Sequence, residues 1–405
     1  MGSDPIPGRG TSLAALLAVA RIATVLVLVA ACGDDGAAMP DARLSDSATD
    51  VAIDATIDAP GCPVPRTITV ATASEVLVIN DLGSTLGIFD PSVVYPAGAP
   101  GGALAYSSVP AQNAIRTRIA LSPDAGATWT YVGEANTPEA AAIASTDTTD
   151  CPGGTCTGQL ISEVPSLVFD PGEPIAAKRW KLFAHRYLVS GVNTLHYGLG
   201  TMTVQTAPDP QGPWTAPEKL FGLTSPSTYT TQGARYNAST FTGMTDCLVL
   251  TEPSAIVLPG ALDLAMGCIY LDGATPRIKI VLARSTDHGQ TWAGVGRMLG
   301  PGAGDCLAGT TPGASINAAN LFVGPDGKEY VSITSSDSAY HGCAIFHVDD
   351  PGTGHVAALP AALIVPDTGQ FSGACTWSAG GGGYQIDIGF LATARPFRIF
   401  RAGAF

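Results

Sequence analysis

One type of segment occurs five times in the sequence, and this repetition limits the fold more than any other feature. Each copy has an acidic or polar residue, a small or proline-containing step, an apolar run, a turn and a second apolar run. The copies begin at Asp90, Glu163, Glu252, Asn317 and near Cys375. Short apolar runs separated by Gly, Pro, Asp and Asn are typical of strands and turns. The chain is therefore expected to be all-β.

A second turn motif completes most of the repeats. The connections "SPDAGATW", "APDPQGPW", "STDHGQTW" and a shorter "DDPGTG" follow the first four hairpins and separate a third apolar run from a fourth. A four-stranded antiparallel unit that repeats along a chain is a propeller blade. We therefore predict a five-bladed β-propeller over residues 62–405. Residues 66–72 are expected to supply the outer strand of the last blade and to close the ring.

In the first and third units the connection has the pattern Ser-x-Asp-x-Gly-x-Thr-Trp. Glycine can take a positive φ in such a turn, Asp and Ser oxygens can accept turn N–H groups, and Trp can pack between blades. We interpret this octet as a structural element rather than as a catalytic or calcium-binding loop. Its residues are Ser122, Asp124, Gly126 and Trp129 in the first unit, and Ser285, Asp287, Gly289 and Trp292 in the third.

The first 61 residues have the features of an export signal and a tether. Arg9 and Arg21 precede the apolar run "IATVLVLVAA", and small residues lead into Cys32, in a segment that resembles the bacterial lipobox. Residues 1–31 are predicted to be a lipoprotein signal peptide and Cys32 to be lipidated; a plain secretory signal is the alternative. Residues 32–61 contain seven Asp and one Arg, so self-repulsion should keep them a disordered tether. We expect the protein at the outer membrane or cell surface.

The cysteine count agrees with export. Nine cysteines occur, and eight remain if Cys32 carries lipid. An even number in an exported protein favours disulfides. Proximity in sequence suggests three pairs and leaves two cysteines that would join the start of the fold to its end: Cys151–Cys156, Cys247–Cys268, Cys306–Cys343 and Cys62–Cys375. A zinc site is the weaker interpretation, because no Cys-x-x-Cys occurs and no His lies at zinc spacing from these thiols.

Two sets of motifs resemble known propeller families. The octet resembles the Asp-box, or BNR repeat, of sialidases and related proteins. The segments "FDPSVV", "EVPSLV", "WKLFAHRY" and "GPW" resemble the five-bladed glycosidases of glycoside hydrolase family 43 and its relatives. The resemblance implies a propeller that acts on glycans. Sialidase activity is not expected, since no Arg-Ile-Pro motif precedes the first octet and no trio of arginines accompanies a Tyr–Glu pair.

The acids that open three of the units are the candidate catalytic residues. Because the innermost strands of a propeller line its axis, Asp90, Glu163 and Glu252 should converge on one pocket. Glycoside cleavage needs a protonated carboxyl for the leaving oxygen and an ionised one as base or nucleophile. The resemblance implies that Asp90 is the base or nucleophile. Glu252 is our choice of acid, with Glu163 tuning the acid's pKa or binding a sugar hydroxyl, although the two Glu could exchange roles. Alternatively, these acids only bind backbone at each strand start.

Further residues could contact a sugar in the same pocket. Each of them could instead pack within a blade or lie on the surface, and for Trp377 the core is the favoured alternative. The candidates are His185, Arg186, Arg235, Tyr236, Asn317, Asn320 and Trp377.

Charge restricts the partners. With a formal net charge of −14, the chain has no basic surface for nucleic acid. The expected partner is a carbohydrate or glycoconjugate, with membrane contact only through the lipid anchor, and the protein is expected to be a monomer. No cofactor is expected, apart from a structural calcium ion that a propeller channel could hold. The sequence predicts an exported glycoside hydrolase; a non-catalytic propeller that binds carbohydrate or protein is the alternative.

Overall fold

The computed structural model describes residues 66–70, 75–97, 99, 101–146, 150–336, 340–366, 372–380, 383–390 and 397–402. The signal peptide, the lipidated Cys32, the tether and Cys62 all lie outside these residues and stay predictions. Within the described ranges, no helix is long and apolar enough to cross a membrane.

The described chain is all-β and forms four hydrogen-bonded sheets. The first sheet consists of β2 (Val78–Ile79), β3 (Ile88–Val94), β4 (Gly102–Ser108), β5 (Arg116–Ser122) and β6 (Trp129–Asn136). The second consists of β7 (Glu139–Ala144), β8 (Thr155–Phe169), β9 (Trp180–Ser190), β10 (Thr194–Ala207), β11 (Glu218–Gly222) and β12 (Tyr236–Asn237). The third consists of β13 (Val249–Leu258), β14 (Ala261–Asp272), β15 (Thr275–Ser285) and β16 (Ala293–Leu299).

The fourth sheet has nine strands. They are β1 (Thr67–Val70), β17 (Ser315–Val323), β18 (Glu329–Ser336), β19 (Tyr340–Asp350), β20 (His355–Val356), β21 (Ala362–Pro366), β22 (Ser372–Gly380), β23 (Gly383–Phe390) and β24 (Arg398–Ala402). Helical structure among the described residues is limited to one short helix, α1 (Thr228–Gln232), and 3-10 turns at Gln112–Ala114, Ala176–Lys178 and Ala238–Thr240.

The number of sheets corrects the prediction of five separate blades. The fourth and fifth predicted units share one sheet, because His341 of β19 pairs with Ser372 of β22. The first strand also differs from expectation. It pairs in parallel with β21, Thr67 opposite Leu363, and not with β24 of the last unit. Glu75 instead forms a single bridge with Phe400 of β24.

The five inner strands, β3, β8, β13, β17 and β22, share one backbone irregularity. Each contains a β-bulge at a corresponding position. One residue of each bulge has a left-handed φ between 48° and 54°: Asp90, Val164, Glu252, Ala318 and Ala374. The strands contact one another in chain order, and β22 contacts β3. The repeat therefore brings the five unit starts around one axis.

Hydrogen bonds from backbone to side chain link successive inner strands. Two residues after the left-handed position, a side-chain oxygen accepts an N–H group of the next inner strand. The pairs are Ser92 with Leu167 (2.9 Å), Ser166 with Ala255 (2.7 Å), Ser254 with Leu321 (2.8 Å) and Asn320 with Trp377 (3.1 Å). Because buried N–H groups need an acceptor, each contact fixes the height of one inner strand against the next.

Both octets form the same turn between a third and a fourth strand. Ser122 and Ser285 each accept the N–H of the octet glycine at 2.7 Å and donate to the octet Asp at 2.8 Å. The same Asp also accepts hydrogen bonds from the backbone N–H and the hydroxyl group of the octet Thr, at 2.6–2.8 Å. The glycines have φ of 85° and 88°, and Trp129 and Trp292 are buried. Each octet thus fixes a turn on the outer part of its unit.

Two of the predicted disulfides are present, and two assignments are wrong. Cys151–Cys156 and Cys247–Cys268 are bonded as expected. Cys343 is bonded to Cys375, which excludes both Cys306–Cys343 and Cys62–Cys375; Cys306 is disulfide-bonded as well. The reason is the shared nine-stranded sheet, which places β19 beside β22, whereas sequence distance favoured a nearer partner.

Replacing Ser166 with Ala should destabilise the fold by about 1–3 kcal/mol, because the buried N–H of Ala255 loses its acceptor. Denaturant unfolding of the wild type and the variant measures the difference. Thr275→Ala, which removes an exposed strand hydroxyl, serves as the control and should stay within about 0.5 kcal/mol. Equal stability of the Ser166 variant and the wild type would contradict the proposed role of this hydrogen bond.

Candidate functional site

Asp90 lies at the left-handed position of the β3 bulge, at the inner edge of the first unit. The Ser107 hydroxyl on β4 donates to its carboxylate at 3.3 Å, and the Val164 N–H also interacts with it. Burial raises the pKa of Asp90 well above its usual value, and the charges of Glu163 and Glu252 raise it further. Asp90 is therefore within electrostatic reach of both other acids.

Glu163 lies on β8, one residue before the left-handed position of its strand. The hydroxyl of Tyr187, on β9, donates to its carboxylate. Burial raises the pKa of Glu163 to about 7, even though the Tyr187 hydrogen bond acts in the opposite direction. This carboxyl thus changes charge near neutral pH.

Glu252 has the same backbone position on β13 that Asp90 has on β3. Its carboxylate accepts the side-chain amide of Asn317 at 2.7 Å and the N–H of Ala318, both from β17. Burial raises its pKa to about 8, and the charge of Glu163 adds to the shift, while the two hydrogen bonds lower the pKa. Glu252 is held in a fixed orientation and keeps its proton at neutral pH.

The bulge recurs in every unit, but the acid does not. Ala318 and Ala374 have the same left-handed backbone without a carboxylate, and Val164 has it in the second unit. The backbone therefore does not require an acid at this position, which weakens the interpretation of the three acids as a structural repeat. Glu252 accepts the N–H of Ala318, and Asp90 interacts with the N–H of Val164, so the alternative of backbone binding holds in part for these two acids.

Aromatic rings surround the acids. His185 stacks on Tyr197 at 5.8 Å between ring centroids and lies 4.9 Å from Tyr187. Burial lowers the pKa of His185 to about 3, so the imidazole is neutral, and its Nδ1 lies 3.3 Å from the Thr251 hydroxyl. Burial and the nearby acids raise the pKa of Tyr197 and of Tyr340. These tyrosines stay protonated and can donate hydrogen bonds.

Sequence reasoning did not identify Tyr197 and Tyr340. A signal for Tyr197 existed in the alternation of β10, where "LHYGLG" puts Tyr197 on the opposite face from His196. Tyr340 is the first residue of β19. Its proximity to Glu252 and Asp90 depends on how the fourth unit packs, and no local sequence pattern predicts that packing.

Five predicted contact residues have their described contacts with groups other than the acids, although Asn320 lines a narrow cavity together with Asp90. Arg186 follows His185 on β9 and points to the other face, where it pairs with Glu139. Arg235 and Tyr236 bind the backbone oxygen of Gln290 at the edge of the second unit. Asn320 belongs to the hydrogen bonds between inner strands. Trp377 is buried in the core and stacks on Phe322 at 4.8 Å. Of the predicted contacts, only His185 and Asn317 lie beside the acids.

Two cavities are lined by residues of the inner strands. The smaller one, of about 30 Å³, is lined by residues from the bulges of all five units, and Asp90 is the one acid among its described lining residues. A larger one of about 570 Å³ lies at the far ends of β3, β8 and β13 and is lined by Tyr95, Phe169, Asp170 and His288, among others. It contains none of the three acids, so size alone does not identify the site of chemistry.

The narrow cavity does not have the ligands for the structural calcium ion that a propeller channel could hold. Calcium takes six to eight oxygen ligands, but among the described lining residues only Asp90 has a carboxylate. The lining side-chain oxygens of Ser92, Ser166, Ser254 and Asn320 already accept N–H groups. We therefore assign no metal to the axis.

Comparisons with known proteins identify the fold. No family model matches the chain, and no curated protein matches it. Among solved structures, a thermostable family-43 glycoside hydrolase is 14% identical, with a TM-score of 0.51, and the match covers 80% of this chain and 92% of that protein. An endo-arabinase from Bacteroides thetaiotaomicron is 15% identical, with a TM-score of 0.50 and coverage of 82% and 98%. At this identity the likeness concerns the fold alone: the chain is an all-β propeller similar to glycoside hydrolases.

Proposed function

We propose that this protein is a glycoside hydrolase and that Asp90, Glu163 and Glu252 form its catalytic centre. The observation that supports the proposal most directly is the cluster itself. Three carboxyls from three inner strands lie close together and half-buried, and each has a raised pKa. Strongly perturbed carboxyls in a cleft are typical of sites that transfer protons. The fold is also one in which glycoside hydrolases are found.

The electrostatic coupling supplies the two protonation states that the reaction needs. The charge of Glu163 raises the pKa of Glu252, and the charges of both glutamates raise the pKa of Asp90, so the three groups lose their protons one after another. Between the first and the last dissociation, the same cluster contains both an ionised and a protonated carboxyl. Glycoside cleavage requires this combination.

We assign the acid role to Glu252 and the base or nucleophile role to Asp90. Glu252 has a pKa of about 8 and would protonate the glycosidic oxygen as its bond to the anomeric carbon breaks. Asp90 would act as the carboxylate, a form that the hydrogen bonds from Ser107 and the Val164 N–H favour against its burial. It would either take a proton from the attacking water or attack the anomeric carbon itself. Glu163 keeps the pKa of Glu252 high through its charge.

The surroundings of the acids favour an uncharged sugar. Tyr187, Tyr197 and Tyr340 offer hydroxyl groups, and His185 is neutral. Within the described part of the chain, none of the interactions that shift the pKa values of the three acids comes from Lys or Arg. A uronate would bring a further negative charge to this cluster without a cation to balance it. The proposal also includes export and lipid anchoring at Cys32, which rest on the sequence alone.

Replacing Glu252 with Gln should reduce kcat by about 10²–10⁴-fold while substrate binding persists, because the amide cannot donate the proton in general acid catalysis. The loss should be smaller on aryl glycosides with good leaving groups, which need less protonation, than on unactivated oligosaccharides. Steady-state kinetics on both substrate classes measure the difference.

The matched control is Glu218→Gln, on the exposed outer strand β11, which should leave kcat unchanged. If the dependence on the leaving group occurs in Glu163→Gln instead, the two Glu exchange roles. A wild type that binds glycans but cleaves none of a broad panel would favour the non-catalytic propeller and would refute the enzymatic proposal.

The pH profile gives a second prediction. The value of kcat/KM should fall as the pH rises through about 8, because Glu252 then loses the proton that it must donate. In Glu163→Gln the neighbouring charge is absent, so the pKa of Glu252 should fall and the alkaline limb of kcat/KM should move to lower pH. Profiles of the wild type and the variant over pH 5–10 report this shift. Glu139→Gln, which alters an exposed carboxylate, should keep the wild-type limb, and an unmoved or raised limb in Glu163→Gln would contradict the coupling.

A further inference from the structure

A second cluster of chemically active side chains lies in the second unit, on the opposite face of β10 from Tyr197. Asp150, Cys151, Cys156 and His196 place one potential ligand atom each within 4.8 Å of one another. Both cysteines and His196 are buried, and Asp150 is partly exposed. No local sequence pattern indicates this cluster, because His196 lies 40 residues after Cys156 and reaches it only through the pairing of β8, β9 and β10.

The hydrogen bonds of His196 define which ring nitrogen is available. The Ser190 hydroxyl donates its hydrogen to the Thr157 carbonyl at 2.6 Å. Its oxygen lies 2.9 Å from Nε2 of His196, so this nitrogen already has a hydroxyl partner. Nδ1 faces the cluster, 2.7 Å from Asp150 Oδ1 and 3.6 Å from Cys156 Sγ. A histidine that binds a metal through one ring nitrogen usually has its other nitrogen hydrogen-bonded to an oxygen, as Nε2 is here.

Nδ1 of His196 and Oδ1 of Asp150 lie 2.7 Å apart, so a proton lies between them. A divalent cation can replace this proton if the two sulfurs become available as thiolates. In the loop between the two cysteines, a Cβ at Gly153 or Gly154 would meet no atom within 4 Å.

We propose that reduction of the Cys151–Cys156 disulfide creates a Zn²⁺ site whose ligands are Cys151, Cys156, His196 and Asp150. Two thiolates, an imidazole and a carboxylate match the preferences of zinc in a tetrahedral site. Zinc-to-ligand bonds of 2.0–2.3 Å correspond to ligand atoms roughly 3.3–3.8 Å apart. The four ligand atoms now lie within 4.8 Å of one another. Apart from the separation of the two bonded sulfurs, the site therefore needs only small shifts of these atoms.

The chemistry balances with a phosphine as reductant. The disulfide, one phosphine and one water give two thiols and a phosphine oxide. Zn²⁺ then displaces the two thiol protons. In the oxidised protein the bonded sulfurs are not ligands, and the site is closed. The disulfide thus acts as the switch between a hydrogen-bonded His196–Asp150 pair and a metal site.

Titration with Co²⁺, a spectroscopic substitute for Zn²⁺, tests the proposal on the full chain. Phosphine reduction is carried to the point at which mass spectrometry of alkylated peptides finds Cys151 and Cys156 free. We expect one bound Co²⁺ with sulfur-to-metal charge transfer and tetrahedral d–d absorption, removed by Zn²⁺, and no such signal in the oxidised protein. His196→Ala should weaken binding by more than about 100-fold and Ser190→Ala by roughly 10-fold.

The second cysteine pair provides an internal control. Cys247 and Cys268 lie beside Asp246 without a histidine, and Lys279 already pairs with Asp246 at 2.6 Å. Asp246→Asn should therefore leave the Co²⁺ signal unchanged. Absence of the signal in reduced wild type, or its full retention in His196→Ala, would overturn the assignment. If His196→Ala does not fold, Asp150→Asn at the partly exposed edge must lower the affinity, and an unchanged affinity refutes the site.

Discussion

The inner strands are held at a common height by hydrogen bonds that run from the backbone of one strand to a side chain of its neighbour. A one-residue slip at any of these contacts would move a strand by about 3.3 Å along the axis and turn its side chains to the opposite face. The acids lie two or three residues before these acceptors, so their separation is set by the same contacts. Ser92, Ser166 and Ser254 therefore set the positions of the acids relative to one another, although none of these serines contributes a carboxylate.

The same arrangement explains why the acids have unusual pKa values. Sheet packing leaves the three acids only partly accessible to water, and the charged form of a carboxyl loses hydration there. Hydrogen bonds from Ser107, Tyr187, Asn317 and Ala318 compensate only in part. Because three such groups are close together, the cluster keeps protons at a pH where isolated surface carboxyls have lost theirs. The strain of left-handed non-glycine residues at Asp90 and Glu252 is tolerated since the surrounding strands determine the backbone.

Much of the architecture could be predicted from local signals. The small or proline-containing steps marked the unit starts, and the octets marked turns between strands, so the convergence of Asp90, Glu163 and Glu252 was predicted by counting repeats. The bulges at these steps were not predicted. The remaining features depend on contacts between residues that are distant in the sequence. The Ala-rich stretch at residues 139–144 looks helical but is strand β7, because it pairs with β8. Likewise, the Cys343–Cys375 bond and the position of Tyr340 depend on the contact between β19 and β22, which leaves no periodic trace in the sequence.

The left-handed bulge position has a consequence for how such a site can change. Ala318 and Ala374 have nearly the same φ as Asp90 and Glu252, and all of these positions border the axis. A carboxylate could therefore be gained at one strand and lost at another without altering the backbone. The left-handed backbone at this position thus accommodates an acid in two units and alanine in two others, while the scaffold stays the same. The side chain that each unit presents at the axis is therefore independent of the strand geometry that supports it.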